Sequence, residues 1–152
     1  MVTDDVFVSE ILLNRIKKLH RHFGNTPLHH FSRLVPQKGA TLFAKKEWQQ
    51  MGGSVKTRAA YYIFRSAIEF GWLTENKTLL DATSGNTGIS YAALGKELGI
   101  PVTLCLPENA SSERKEILKA LGAEIIYTSR FEGTDGAQQV ARELADQYPD
   151  KY

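Results

Sequence analysis

The chain has 152 residues and a mass of 17.0 kDa, which is the size of one globular domain with enough apolar residues for a core. Its 19 Lys and Arg residues face 17 Asp and Glu residues, so the formal net charge is only +2. Because the basic residues are also scattered along the chain, this balance argues against nucleic acid or an anionic membrane as a partner.

Cys105 is the only cysteine, so the chain forms no internal disulfide, which suits a reducing compartment. It lies in the apolar run "VTLCL", where we expect a buried thiol that packs as a small hydrophobic group. No apolar stretch approaches the ~20 residues needed to span a bilayer. The first residues, "MVTDDVF", also lack the pattern of a signal peptide. We therefore predict a cytoplasmic protein.

The first 40 residues predict an N-terminal helical arm. Apolar residues recur at helical spacing after Ser9, which is suited to cap the helix, and Gly24 is suited to end it. Residues 25–40 contain two prolines and a Lys-Gly turn signal, and we expect them to be irregular.

From Thr41 onward, strand and helix patterns alternate four times. The predicted strands are short apolar runs at 41–47, 78–82, 101–107 and 123–129, and the predicted helices cover 54–71, 86–99, 111–122 and 133–148. Continuous apolar strands that alternate with helices are typical of a parallel sheet covered on both faces. The sequence therefore predicts an α/β fold for residues 41–152, a three-layer αβα arrangement with a four-stranded parallel sheet.

The loop "TSGNTG" at 83–88 has the composition of a cradle for a small anion. Glycines let the backbone approach a ligand closely, and the N–H groups that open a helix carry partial positive charge. Hydroxyl and amide side chains supply further donors. An ordinary capped turn between strand and helix favours the same residues, so the composition alone leaves both interpretations open.

Lys56 opens the helix predicted after the first of these strands, behind Gly52 and Gly53. A lysine is electrostatically unfavourable there, which would favour the neutral, nucleophilic amine. A solvated surface lysine, the usual environment of this residue type, is the alternative. The segment does not match a phosphate-binding Walker A loop, and the G-x-G-x-x-G and G-x-S-x-G motifs are absent. If both loops lie at the same sheet edge, the lysine could hold a carbonyl cofactor while the cradle holds a substrate carboxylate.

The four histidines form two close pairs, but no acidic or cysteine partner lies at ligand spacing beside them. We therefore expect no metal site at His20, His22, His29 and His30.

Four ordered segments carry a resemblance to a known family: "GNTPL" at 24–28, "KKEWQQMGGSVKTRAA" at 45–60, "TSGNTG" at 83–88 and "LPENASSERKEILKALGAEI" at 106–125. Together they resemble the fold-type II pyridoxal-phosphate enzymes, which include cysteine synthase (O-acetylserine sulfhydrylase) and cystathionine β-synthase. The resemblance implies β-elimination and β-replacement on a serine-type amino acid, with pyridoxal 5′-phosphate as cofactor. Amino-acid dehydratases of the same family share these motifs.

The resemblance also implies roles for the two loops. Lys56 would bind the cofactor as a Schiff base and act as the catalytic base and acid. Asn86 would hydrogen-bond the hydroxyl oxygen of the cofactor ring. The substrate α-carboxylate would be bound by Thr83, Ser84, Gly85 and Thr87.

The sequence departs from the family in two ways. Relatives commonly have Asn-Pro at Gln50-Met51 and Asp at Thr57, which we expect to affect loop shape or specificity. Members of the family are also longer, and the part not matched here carries the loop for the cofactor phosphate. We therefore expect an N-terminal half that is inactive alone, either a homo-oligomer or dependent on a C-terminal half. A non-catalytic module that has lost cofactor binding is the alternative.

The division implied by the resemblance is an arm, residues 1–40, that packs on the absent large domain, followed by a small domain, residues 41–152. Without the large domain, we expect Ile11, Ile16 and Leu19 to be exposed as an apolar patch.

Overall fold

The computed structural model describes residues 8–33 and 40–152. The first helix, α1, spans Glu10–Leu19 and is followed by a 3₁₀ turn over His20–His22. The predicted cap is confirmed, because the Ser9 Oγ accepts a hydrogen bond of 3.1 Å from the Leu12 N–H. Gly24 adopts a φ of 83°, which lets the chain turn away after the 3₁₀ turn.

Two short strands form a separate antiparallel sheet near the N-terminus. Strand β1 covers Leu28–His30 and β2 covers Phe43–Lys45, with His29 opposite Ala44. The expectation of irregular backbone at 25–40 is therefore wrong for β1. A proline before the strand does not prevent pairing, since the Pro27 carbonyl accepts a hydrogen bond from the Lys46 N–H.

The parallel sheet has three strands in the described part of the chain, in the order β3-β4-β5. These strands cover Leu79–Asp81, Val102–Pro107 and Glu124–Thr128. A fourth parallel strand from residues 41–47 was expected, and this is wrong, because β2 pairs with β1 instead. The residues of β2 are exposed or half-buried, whereas β4 is buried along five successive residues, as a strand covered on both faces requires.

Four further helices follow the predicted pattern. Helix α2 spans Lys56–Glu69, α3 spans Asn86–Leu98, α4 spans Ser112–Ala120 and α5 spans Gly133–Gln147. Gly71, Gly99 and Gly122, which follow α2, α3 and α4, have left-handed φ values. Helices α3 and α4 contact each other and the sheet, α5 contacts all three strands, and α2 packs on α3.

Helix α1 packs against α2 and α3. Leu12 and Ile16 are fully buried there, whereas Ile11 is 60% exposed. The expected exposure is thus confirmed for Ile11 and wrong for Ile16. Ile16 is buried because α1 packs against the apolar surfaces of α2 and α3. Leu19 is half-buried against the same core.

Candidate functional site

The cradle segment joins the end of β3 to the first turn of α3. Thr83, Ser84 and Thr87 are half-buried, while Asn86 is exposed as the first helical residue. Gly85 occupies the capping position with extended backbone, and no side chain of the described residues caps the helix there. The first N–H groups of α3 are therefore hydrogen-bond donors without a side-chain acceptor, at the positive end of the helix dipole.

Two glycines give the cradle its shape for opposite reasons. A Cβ on Gly88 would lie 2.8 Å from the Thr83 carbonyl oxygen and 3.1 Å from Leu104 Cδ1, so only glycine lets α3 start this close to the Thr83 backbone and to β4. A Cβ on Gly85 would meet no atom within 4 Å. The backbone at Gly85 therefore faces open space that a ligand can enter.

Lys56 is the first residue of α2 and its side chain is exposed. Its N–H donates a 3.2 Å hydrogen bond to the Ser54 Oγ, so Ser54 holds the start of the helix although the helix proper begins two residues later. Gly53 turns the preceding loop with a φ of 70°. The predicted position of Lys56 at a helix N-terminus is confirmed.

Side chains and backbone groups join residues 46–55, the loop that leads into Lys56 (the Lys56 loop), to α3 (the cradle helix). The Gly52 N–H donates to Thr57 Oγ1 at 3.1 Å, Thr57 Oγ1 lies 3.1 Å from Ser90 Oγ, and Ser90 Oγ donates to the Asn86 carbonyl at 2.8 Å. Both hydroxyl groups belong to fully buried residues. The two loops were expected at one edge of one sheet, but the packing of α2 on α3 brings them together instead.

A polar cluster around Glu47 supports the Lys56 loop from its other side. Arg58 donates to both carboxylate oxygens of Glu47 at 2.9 Å, and Thr26 and Gln50 donate to the same carboxylate. These hydrogen bonds, above all that from Arg58, lower the pKa of Glu47 to about 2. The Gln50 Oε1 accepts the Gly24 N–H at 3.3 Å, which ties the segment "GNTPL" to this loop.

Sequence reasoning missed the supporting residues of the site. The sequence marks Gln50 and Thr57 only as departures from the family, yet both are buried and hydrogen-bonded. The position of Ser90, four residues after Asn86, was the available signal, because a serine there can bond the carbonyl one turn earlier. The ion pair of Glu47 with Arg58 joins the Lys56 loop to α2, and no short sequence motif predicts this pairing.

Two buried groups lie close to Asp81, at the end of the strand that leads into the cradle. Burial, with a further effect of Asp81, raises the pKa of Tyr91 to about 12. Burial also raises the pKa of the Cys105 thiol, and the expectation of a buried thiol is confirmed. Both groups are held in the neutral form.

Within residues 8–33 and 40–152, no group of three or more His, Cys, Asp or Glu side chains is suited to a metal ion. Over the same ranges, no helix combines the length and apolar character that a membrane crossing requires.

Comparison with known proteins identifies relatives along most of the chain. A cysteine synthase from Aquifex aeolicus is 47% identical over 132 residues, which are 85% of this chain and 40% of that protein. An O-acetylserine dependent cystathionine β-synthase from Bacillus subtilis is 36% identical over 129 residues and is covered to 42%. The chain therefore spans about two fifths of the length of these curated relatives.

Solved structures agree with the sequence relatives. A hydrogen sulfide-producing enzyme from Fusobacterium nucleatum superimposes with a TM-score of 0.81 and 36% identity, over 91% of this chain and 42% of that one. An O-acetylserine dependent cystathionine β-synthase from Helicobacter pylori gives a TM-score of 0.75 and 32% identity, over 96% of this chain and 46% of that one. The family described as "Pyridoxal-phosphate dependent enzyme" matches residues 19–152. The chain belongs to the pyridoxal-phosphate-dependent enzyme family and corresponds to the N-terminal part of its relatives.

Proposed function

We propose that this chain supplies the lysine and the carboxylate-binding cradle of an enzyme for β-elimination and β-replacement on a serine-type amino acid. Its cysteine synthase and cystathionine β-synthase relatives support this reaction class. The observation that carries the proposal is the uncapped, open N-terminus of α3, joined by buried hydrogen bonds to the loop that presents Lys56. As a further part of the proposal, residues 41–152 form the small domain of this enzyme and residues 1–40 its arm.

The donor set fits both the substrate and the cofactor. Exposed Lys56 would bind pyridoxal 5′-phosphate covalently through its amine, and exposed Asn86 would hydrogen-bond the ring hydroxyl oxygen. The substrate carboxylate would lie against the backbone at Gly85, with hydroxyl donors from Thr83, Ser84 and Thr87. When bound, the pyridine ring of the cofactor supplies an electron sink for the pair left behind when the α-proton is removed.

The chain itself would orient the substrate and move a proton. The cradle fixes the α-carboxylate, so that the Cα–H bond faces the Lys56 amine. Once the substrate amine has displaced it from the cofactor, the Nζ of Lys56 would accept the α-proton and later return it to the same carbon, so that one residue would serve as base and then as acid. The positive end of α3 stabilises the carboxylate throughout and favours substrates that carry one.

A chimera tests this proposal, because it joins this chain to the remaining part of a full-length relative. Residues 1–152 would replace the matching segment of the Aquifex aeolicus cysteine synthase, with which the identity is 47%. We expect the purified chimera to show the visible absorbance of lysine-bound cofactor, and borohydride reduction followed by peptide mapping to label Lys56. Addition of O-acetylserine and sulfide should then yield cysteine. We expect no such band from the 152-residue chain alone, because the cofactor phosphate would lack its contacts.

Two matched variants make this experiment decisive. Lys56→Ala should abolish labelling and turnover, while Lys45→Ala, which removes another exposed lysine before the same loop, should leave both unchanged. A label on another lysine, or turnover by Lys56→Ala, would refute the catalytic assignment. Release of pyruvate without cysteine would point to a dehydratase. A folded chimera without bound cofactor would point to the non-catalytic module.

A further inference from the structure

The hydrogen bonds between Gly52 and Asn86 form a relay with one defined direction. Ser90 Oγ uses its only proton to donate to the Asn86 carbonyl oxygen. It must therefore accept at its contact with Thr57 Oγ1, so Thr57 is the donor there. Thr57 Oγ1 in turn accepts the Gly52 N–H. All three hydrogen bonds of the relay are therefore donated in the same direction, from the Lys56 loop toward the cradle helix.

The relay is buried and closely packed. Thr57 and Ser90 have no solvent-exposed surface, so neither hydroxyl can exchange its partner for water without opening the packing of α2 on α3. A Cβ on Gly52 would lie 2.6 Å from both hydroxyl oxygens and 3.0 Å from Ser90 Cα. Only glycine therefore lets the loop backbone approach near enough to donate the first hydrogen bond.

The ends of the relay are the two halves of the site. Thr57 directly follows Lys56, and Asn86 is the first residue of the cradle helix. We propose that Thr57 and Ser90 are positioning residues, whose hydroxyl relay fixes the cradle relative to Lys56 and couples occupancy of the cradle to the Lys56 loop. This inference rests on the proposed function, since it takes the cradle to bind an amino-acid carboxylate.

Nuclear magnetic resonance of the ¹⁵N-labelled 152-residue chain tests the relay without cofactor or turnover. The probe is L-serine, titrated to tens of millimolar, and the reporters are the amides of Thr87 in the cradle and Gly52 in the loop. In the wild-type chain we expect both amides to shift with the same apparent Kd. Hydrogen exchange of the Gly52 amide is the second readout.

The Thr57→Val variant keeps the side-chain shape and removes the hydroxyl. We expect its Gly52 amide to exchange at least about tenfold faster, since one buried hydrogen bond is lost. The shift of Thr87 with L-serine should persist, while that of Gly52 disappears. Ser90→Ala should also abolish the Gly52 response, and Thr57→Ser should restore both readouts.

Thr103→Val is the matched control, because Thr103 is equally buried and donates a 2.8 Å hydrogen bond to Glu124, away from the relay. Both readouts should match the wild type in this variant. If the Gly52 amide of Thr57→Val still shifted with L-serine as in the wild type, or if its hydrogen exchange were unchanged, the relay would be refuted. The proposed carboxylate site would stand. If L-serine shifted no cradle amide in the wild type, the proposed carboxylate site would fail, and the coupling with it, whatever the exchange rate of Gly52.

Discussion

Glu47 shows how one carboxylate can organise the loop between β2 and α2, in which Glu47–Gln49 form a short 3₁₀ helix. Its oxygens accept hydrogen bonds from Thr26, Gln50 and Arg58, which belong to three different segments. The Arg58 guanidinium contacts both oxygens, a geometry that lysine could not reproduce. Because Arg58 lies in the first turn of α2, the cluster helps to fix the helix on which Lys56 is presented.

The lowered pKa of Glu47 predicts a stability that depends on pH. Its pKa is about 2 in the folded chain against an ordinary value of 4.5, so ionisation of the Glu47 carboxyl stabilises the folded state relative to the unfolded state. The resulting stabilisation is complete above pH 4.5 and is lost as the pH falls toward 2. We expect Glu47→Gln to lower the urea midpoint at neutral pH and to flatten its decrease in this acidic range.

Glu69→Gln is the control for that experiment, because Glu69 forms an exposed ion pair with Arg65 one turn away in α2. Such surface pairs contribute little, so its urea midpoint at neutral pH should stay close to that of the wild type. Identical acid profiles for the wild type and Glu47→Gln would contradict the importance of the cluster.

The start of α3 shows how an element serves both packing and binding. Ile89 continues the helix by donating to the Gly85 carbonyl, while the N–H groups of the first helical turn have no capping side chain. On the inner side the helix touches the Thr83 carbonyl and Leu104 through Gly88, which has no side chain to separate them. The same turn is thus closely packed toward the sheet and open toward the ligand.

Alanine substitutions should separate these two roles. Gly88→Ala forces a Cβ against a backbone carbonyl, and we expect the free energy of unfolding to fall by about 1–3 kcal/mol. Gly85→Ala places its Cβ in open space and should change stability by only about 0.5 kcal/mol, yet weaken the response of the cradle amides to L-serine. Urea denaturation and the amide titration measure both effects. Equal stability of the two variants would contradict the packing role of Gly88.

Local patterns predicted the helices and the three strands of the parallel sheet well, because the residues that determine these elements lie close together in the sequence. Ser9 caps α1, glycines follow three of the helices, and the apolar runs became β3, β4 and β5. The pairing partner of β2 could not be predicted from local patterns. Its pairing with Leu28–His30 depends on contacts across residues 31–42, and proline-rich context suggested irregular backbone. The Thr57–Ser90 contact was equally hidden, since 33 residues separate its members.

At the scale of the whole molecule, α1 links the N-terminal segment to the site-bearing helices. Its buried face contacts α2 and α3, and the Tyr61 hydroxyl donates to the Ile16 carbonyl at 3.3 Å. Arg15 donates to the Leu98 carbonyl at 3.0 Å, which holds α1 to the end of the cradle helix. The division of the chain at residue 40 stays a prediction, but α1 is part of the core that holds α2 and α3 together.

A pair of isoleucine substitutions tests whether α1 belongs to this core in solution. Ile16 is fully buried, so Ile16→Ala should lower the free energy of unfolding by about 2–5 kcal/mol through lost burial and the cavity it leaves. Ile11 is 60% exposed on the same helix, and Ile11→Ala should change it by at most about 0.5 kcal/mol. Because both substitutions improve helix propensity alike, their difference isolates packing. Equal unfolding curves for the two variants would mean that α1 is detached from α2 and α3 in the isolated chain, as expected for an arm that needs another domain.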